Sequence, residues 1–349
     1  MNIVKINQTN THPCFISSFR WVIIIGLSVV LSVLNGCEPL VNSPVQTDTP
    51  LGPTASREVS GQDWYQDLAF AWAPVLHQDV DTTGSHGLGG KADWISAINF
   101  DGDWVATNNW NNASKYTLSA HGYYSVVETT THWYILYAFF HPRDWTDIPF
   151  FGIDEHENDL EGCLLIVYKD GSTYGTLEGM VTVFHTDFYS FVPDGSPLTA
   201  NQETVDGKVS FVNHNGRLRP IIAQEAKGHG LKAYPYVKIN GDGIIYWPSK
   251  DTAGVPISNY DGNCTYKLVD IFTPGGLFEQ RTNRQLFAAD GGSFLSSYGS
   301  GNANAPWRWD DKDDTPGAGA LAIDPAYLSS VYFKGFRSFS REYLNNRYR

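Results

Sequence analysis

Apolar and polar positions along the chain fall into three regimes. Residues 21–34, Trp21 to Leu34, form a fourteen-residue apolar run with no charged residue. It is short for a bilayer span, which needs about 20 apolar residues. Residues 38–60 have no period, no aromatic residue and recurrent Pro, Ser and Thr, the composition of a flexible stalk. From Gly61 the pattern becomes structured. Trp64 to Trp72 places apolar residues at helical spacing, and Pro74 ends or kinks that helix before a short strand at Val75, Leu76 and His77. Residues 79–115 read as loop. Runs rich in β-branched and aromatic residues then predict strands at 123–130, 132–140, 161–168, 177–185, 209–214, 233–239, 243–247 and 266–271, most of them separated by turn residues. Two helices are predicted near 277–287 and 325–333. Many short strands with turns between them imply a mainly β (α+β) chain: an antiparallel β-sandwich with a few peripheral helices. No internal repeat is visible.

Charge explains the first regime. Lys5 and Arg20 are the only charges before the apolar run, so residues 1–36 have the three-part form of a signal peptide. The run ends in Leu34, Asn35, Gly36 and Cys37, which resembles the lipobox of bacterial lipoproteins. The resemblance implies cleavage before Cys37 and a lipid on that cysteine, hence an exported lipoprotein, periplasmic or on the cell surface, anchored to a membrane. An ordinary signal peptide is the other reading. The expected organisation is signal 1–36, stalk 37–60 and one β-sandwich domain 61–349.

The chain has 24 basic and 37 acidic residues. Losing residues 1–36 removes two basic residues and no acidic one, leaving 22 against 37 and a formal charge of −15. That argues against a nucleic-acid partner, which needs a basic footprint, and suits cation binding. Of four cysteines, Cys163 and Cys264 lie in the domain; spacing leaves open whether they pair.

The densest polar cluster is Asp154, Glu155, His156, Glu157, Asn158, Asp159 and Glu161, leading into the apolar strand from Cys163 to Tyr168. In an extended chain Asp159 and Glu161 share a face, and a loop at His156 can bring its imidazole onto it. Two carboxylates and one imidazole suit Mg²⁺, Ca²⁺ or Mn²⁺ better than a structural zinc. A solvated acidic loop is the competing reading of the same spacing.

Two segments, Tyr137 to Asp144 (Tyr-Ala-Phe-Phe-His-Pro-Arg-Asp) and His156 to Gly162 (His-Glu-Asn-Asp-Leu-Glu-Gly), resemble the signature of the necrosis- and ethylene-inducing peptide-like proteins. Those secreted cytolysins carry Tyr-x-Trp-Tyr-x-Pro-Lys-Asp followed by Gly-His-Arg-His-Asp-Trp-Glu. The resemblance implies a divalent cation held by Asp144, His156, Asp159 and Glu161, with Asn158, Glu157 and His229 around them. Weaker echoes are Ala73 to His77, Gly228 to Gly230, and Gly301 to Trp307. Vacuolar-sorting-associated proteins carry a related core, so the resemblance is to a broader superfamily. Asn158 stands where the cytolysins have a second histidine, Leu160 where they have tryptophan, and Asp144 lies twelve residues before His156, farther than in that family.

The function implied is a surface lipoprotein whose domain presents a bound divalent cation to a glycan or lipid headgroup. A metal-dependent hydrolase of a phosphodiester or glycan, with Glu157 or His229 as base, and a purely structural metal are the alternatives. Asp101 with Asp103, and the run Asp310 to Asp314, read as surface turns because neither matches a calcium-loop spacing. Gly299 to Gly301 lacks the context of a hydrolase elbow, and Gly171 to Gly175 reads as a hairpin turn. His132, His141 and His185 read as core or edge histidines.

Overall fold

The computed structural model describes residues 61–149 and 152–349. The expectations for the signal, Cys37 and the stalk fall on residues outside that range. Among the described residues no helix is long and apolar enough to cross a membrane.

The first helix, α1 (Gly61–Trp72), stops where the sequence demands. Pro74 cannot donate into another turn, and Arg219 donates from Nη1 to the carbonyls of Phe70 and Ala73 at 2.6 and 3.1 Å, satisfying helix-end acceptors. Leu68 and Ala69 on its inner face are fully buried. The chain then forms β1 (Val75–Asp79), a short α2 (Asn109–Asn112), and the strands β2 (His121–Thr129), β3 (His132–Asp144), β4 (His156–Tyr168), β5 (Thr176–Phe184) and β6 (Asp187–Val192). Short strands β7 (Thr199–Ala200), β8 (Gly207–Lys208) and β9 (Phe211–His214) precede β10 (Arg217–Gln224), β11 (Leu231–Ala233), β12 (Gly243–Ser249) and β13 (Cys264–Asp270). The tail holds α3 (Ala320–Ile323), α4 (Pro325–Tyr332), β14 (Phe333–Lys334) and β15 (Tyr343–Asn345).

One sheet runs in the order β11-β10-β1-β12-β13-β2-β3-β4-β5-β6-β8, with β15 beside β2 and β9 beside β10. It curls until β11 comes up against β4 and β5. The expected β-rich architecture with few helices is present, but the sheet is mixed. β1–β10, β12–β13, β13–β2 and β6–β8 pair parallel, because the connections between them return across the curl instead of reversing in a hairpin.

The curl has an apolar layer on each side. Tyr137, Phe139, Cys163 and Leu165 face inward with Ile222 and Tyr246. Leu136, Ala138, Phe140 and Leu164 face outward and are covered by Phe287, Trp307, Trp309 and Leu328 from the tail. All of β3 is buried except its last residue, Asp144. That explains its nearly unbroken apolar run, since a strand covered on both faces needs no alternation.

Two other expectations change, one strand is added and one open question closes. The helix at 277–287 is a single 3-10 turn, Glu279–Thr282; seven consecutive polar residues, 279–285, leave no apolar stripe to bury. The strand expected at 233–239 ends at Ala233, before Pro235, which has no N–H for the ladder. β10 escapes prediction because Arg217, Arg219 and Pro220 interrupt its apolar pattern. Cys163 and Cys264 are free and buried. β2 and β3 stand between their strands, a separation of about 14 Å across the sheet, beyond disulfide reach.

Candidate metal centre

The ends of β3 and β4 build the site. Their antiparallel register sets Asp144 opposite His156, Arg143 opposite Glu157 and His141 opposite Asp159. Strict alternation would place His156 and Asp159 on opposite faces. Instead His156, Asp159 and Glu161 all line one cleft, while Glu157 and Asn158 both turn away from it. The break falls at Asn158, whose φ of +66° is left-handed. Asparagine tolerates that region better than other residues with a Cβ.

The cleft has a volume of about 140 Å³. Its walls hold Asp144, His156, Asp159 and Glu161 together with His185, Asn304, Trp309 and Lys312. His156 Nε2 lies 3.2 Å from Asp144 Oδ2, and its Nδ1 lies 2.8 Å from the Asn158 carbonyl. That carbonyl only accepts, so Nδ1 carries a proton and Nε2 is the nitrogen turned to the cleft. Glu161 Oε1 accepts the His185 backbone N–H at 2.7 Å. Glu161 Oε2 is buried and has no hydrogen-bond partner. Beneath the cleft, His229 is wholly buried between two carboxylates, 3.0 Å from Asp159 Oδ2 and 3.3 Å from Asp93 Oδ1. Its ring stacks on His141 at 3.7 Å and 2°.

The electrostatics follow from burial and crowding. Burial raises Glu161 well above the usual carboxylate range, and the Asp159 charge adds to it. Asp144 is also raised by burial, partly offset by the hydrogen bond from His156. Burial would lower His156, but the hydrogen bond and charge of Asp144 outweigh it and raise the imidazole to about 9. His229 reaches about 9 in the same way: burial opposes the charge, and hydrogen bonds to Asp159 and Asp93 prevail. His141 is pushed well below its ordinary value by burial and then by the His229 charge. Three acidic side chains therefore face one small space, and one carboxylate oxygen there has no donor. An orphaned buried acceptor beside two further carboxylates fits a cation. The residues are not drawn into a closed shell, however. Among the described residues the three potential ligands whose atoms all lie within 4.8 Å of one another are Asp187, Asp311 and Asp313, outside the expected set.

No family model matches the chain, and no curated protein does. Solved structures do match. NLPPya in complex with glucosamine is 15% identical with a TM-score of 0.35, covering 72% of this chain and 87% of that one. NLPPya with mannosamine is 14% identical at the same TM-score, covering 72% and 86%. The necrosis- and ethylene-inducing protein 2 of the agent of cocoa's witches' broom disease is 15% identical, TM-score 0.26, over 48% of this chain and 66% of that one. The chain is similar to necrosis- and ethylene-inducing proteins. It spans about two thirds of the length of the last of these structures. Nothing found supports the expected relation to vacuolar-sorting-associated proteins. At such low identity the role of each residue rests on this chain's own geometry.

The remaining expected residues divide cleanly. Glu157 accepts from Trp110 N, Ser297 N and Ser297 Oγ at 2.7, 2.8 and 3.0 Å, so it ties loops together. His229 spends both ring nitrogens on carboxylates and supports Asp159 from behind. Its flanking glycines serve the neighbouring turn: a Cβ on Gly228 would stand 2.6 Å from His185 Cε1. Asp101 and Asp103 hold their own turn, Asp103 accepting from Val105 N at 2.8 Å. Gly299 bridges to His156, and a side chain there would strike the Glu155 carbonyl at 2.0 Å. His132 is buried beside Glu178 at 3.4 Å, far along β3.

His185 reads as an edge histidine in the sequence, yet it lines the cleft. Its Nε2 lies 2.8 Å from Glu225 Oε1 and its Nδ1 3.7 Å from Glu161 Oε1. It sits in the β5–β6 turn at φ +59°. Asp93, which receives Trp145 Nε1 at 2.8 Å and Lys227 N at 2.9 Å, also carries no sequence signal. One pattern marks the region: Asn158, His185, Lys227 and His229 are four of the seven non-glycine residues with positive φ among the described residues. Such residues concentrate at functional sites.

Proposed function

We propose that this domain binds a divalent cation in the cleft of Asp144, His156, Asp159 and Glu161 and uses it to hold a glycan or lipid headgroup at the surface. The observation that carries the reading is the orphaned Glu161 Oε2, buried in a cleft with two further carboxylates. An unpaired buried carboxylate costs several kcal/mol unless a proton or a cation compensates it. Oxygen-rich ligation with one imidazole suits Mg²⁺, Ca²⁺ or Mn²⁺, which keep part of their shell as water; the open spacing of the four side chains agrees with that. Asn304 and Lys312 in the lining offer amide and ammonium groups to a hydroxylated ligand.

As the source of this domain we propose an exported lipoprotein, cleaved before Cys37 and lipid-anchored there. The signal-like residues 1–36, the lipobox-like residues 34–37 and the stalk support that placement. Processing that survives both globomycin and Cys37→Ala would remove the anchor.

Neither base suggested for a hydrolase favours that alternative, since Glu157 points away from the cleft and His229 is enclosed behind it. The test is metal analysis and calorimetry on the purified mature protein beside Asp159→Ala and Glu161→Ala, with glucosamine and mannosamine as first sugar probes. Stoichiometric cation in the wild type and loss in both variants supports the reading. Equal, negligible cation in all three defeats it. Cation binding that raises thermal stability with no sugar response leaves the structural-metal alternative in its place.

A further inference from the structure

We infer that Asn158 is a positioning residue: its left-handed backbone swings His156 onto the cation face of β4. The inference rests on the cation reading of the cleft and deepens it.

Going along β4, His156 lines the cleft, Glu157 and Asn158 turn outward, and Asp159 lines the cleft again. A regular strand cannot place two consecutive side chains on one side. The residue that allows it is the one at φ +66°. Its neighbour across the ladder is Pro142, which lies between the paired positions 141 and 143 and has no N–H to enforce regular pairing.

The conformation is locked from outside the cleft. Asn158 is wholly buried. Its Oδ1 accepts from Asn109 Nδ2 at 2.6 Å, and its Nδ2 donates to the carbonyls of Ala106 and Leu295 at 3.1 and 3.0 Å. Both amide protons and the amide oxygen are therefore used, by two separate segments, residues 106–109 and Leu295. From the same residue, the backbone carbonyl takes the His156 Nδ1 proton at 2.8 Å. One asparagine thus sets the face, the ring orientation and the tautomer of His156, leaving Nε2 for a cation. A histidine or aliphatic residue here would pay the left-handed penalty and lose the lock.

Glycine separates the two contributions, because it adopts positive φ freely but has no amide. The experiment compares wild type, Asn158→Gly and Asn158→Ala in two readouts. The first is Mn²⁺ or Ca²⁺ affinity by calorimetry. The second, taken without metal, is the NOE between the His156 ring and the Gly301 α protons; a Cβ built on Gly301 would lie 3.4 Å from His156 Cδ2. We expect Asn158→Gly to keep the NOE and bind within a few-fold of wild type. Asn158→Ala should lose the NOE and bind roughly tenfold more weakly, because alanine tolerates the left-handed region less well than asparagine or glycine. If alanine keeps both NOE and affinity, or if both variants lose the NOE and affinity equally, the positioning role is overturned. If alanine fails to fold, the glycine variant decides: loss of its NOE overturns the role and retention supports it. A wild type that shows the NOE but binds no cation defeats the cation reading, while the NOE series still reports on the geometry.

Discussion

Two groups of acidic residues lie on this molecule, and they contrast at every level. Asp187, Asp311 and Asp313 bring their oxygens within 4.8 Å of one another, with two of the three exposed. Asp311 accepts from Phe188 N at 3.2 Å and from the Tyr332 hydroxyl. Water and local donors satisfy such a cluster, and one shared proton relieves its repulsion. Asp144, Asp159 and Glu161 are spread more widely, yet they surround a cleft, rest on a buried histidine and include an oxygen with no donor. Proximity of carboxylates is thus the poorer guide. An unmet requirement inside a walled space points to a ligand, whereas crowding at the surface is answered by solvent.

The contrast can be broken in several ways. The largest expected effect is on His229→Ala. Removing it leaves Asp93 and Asp159 facing each other without a counter-charge, so denaturant unfolding without added metal should show a loss of about 3–5 kcal/mol. A loss below about 1 kcal/mol would mean that the buried triad does not hold the cleft floor.

Next, a cation at 100 times its dissociation constant should stabilise the wild type by about 2.7 kcal/mol. Glu161→Gln should abolish that shift, while Asp313→Asn should leave it intact. The reverse pattern would move the cation to the surface cluster. Without metal, Glu161→Gln should gain stability by about 1 kcal/mol, since a neutral amide replaces a charge with an unmet oxygen.

Smaller effects belong to the surface cluster. Burial, and then Asp313, hold the Asp311 carboxyl up from 3.8 to about 6. A carboxyl raised in the folded state binds its proton more tightly there than in the unfolded chain. Its contribution is present at low pH and is lost as pH rises from about 4 to about 6. Comparing unfolding of wild type and Asp313→Asn across that window should show a flatter profile in the variant. At pH 7 Asp313→Asn should change stability by no more than about 0.5 kcal/mol, as exposed substitutions do.

Much of the scaffold is legible in the sequence. β-Branched and aromatic runs mark β2, β3, β5, β12 and β13, and Pro74 and Pro325 mark helix ends, because these signals act through local backbone sterics. β4 shows itself only from Glu161 onward, since residues 156–160 look like a polar loop. They belong to a strand because their polar groups meet partners from distant segments: Asn109, Trp110, His229 and Ser297. The hidden strand β10 has the same cause, with Arg219 paired to the end of α1.

By itself the sequence determined a β-rich chain with an acidic excess, the alternation that sets Asp159 and Glu161 on one face, and the residue types for a hard cation. Those properties depend on neighbours a few positions away. Tertiary structure alone decided that His156 joins that face through a left-handed Asn158, that His185 lines the cleft, and that Asp93 and His229 lie behind Asp159. Each depends on groups between 24 and 137 residues apart meeting in one place. Nothing in local composition specifies such meetings; the curl of the sheet and the burial of polar groups that must find partners do.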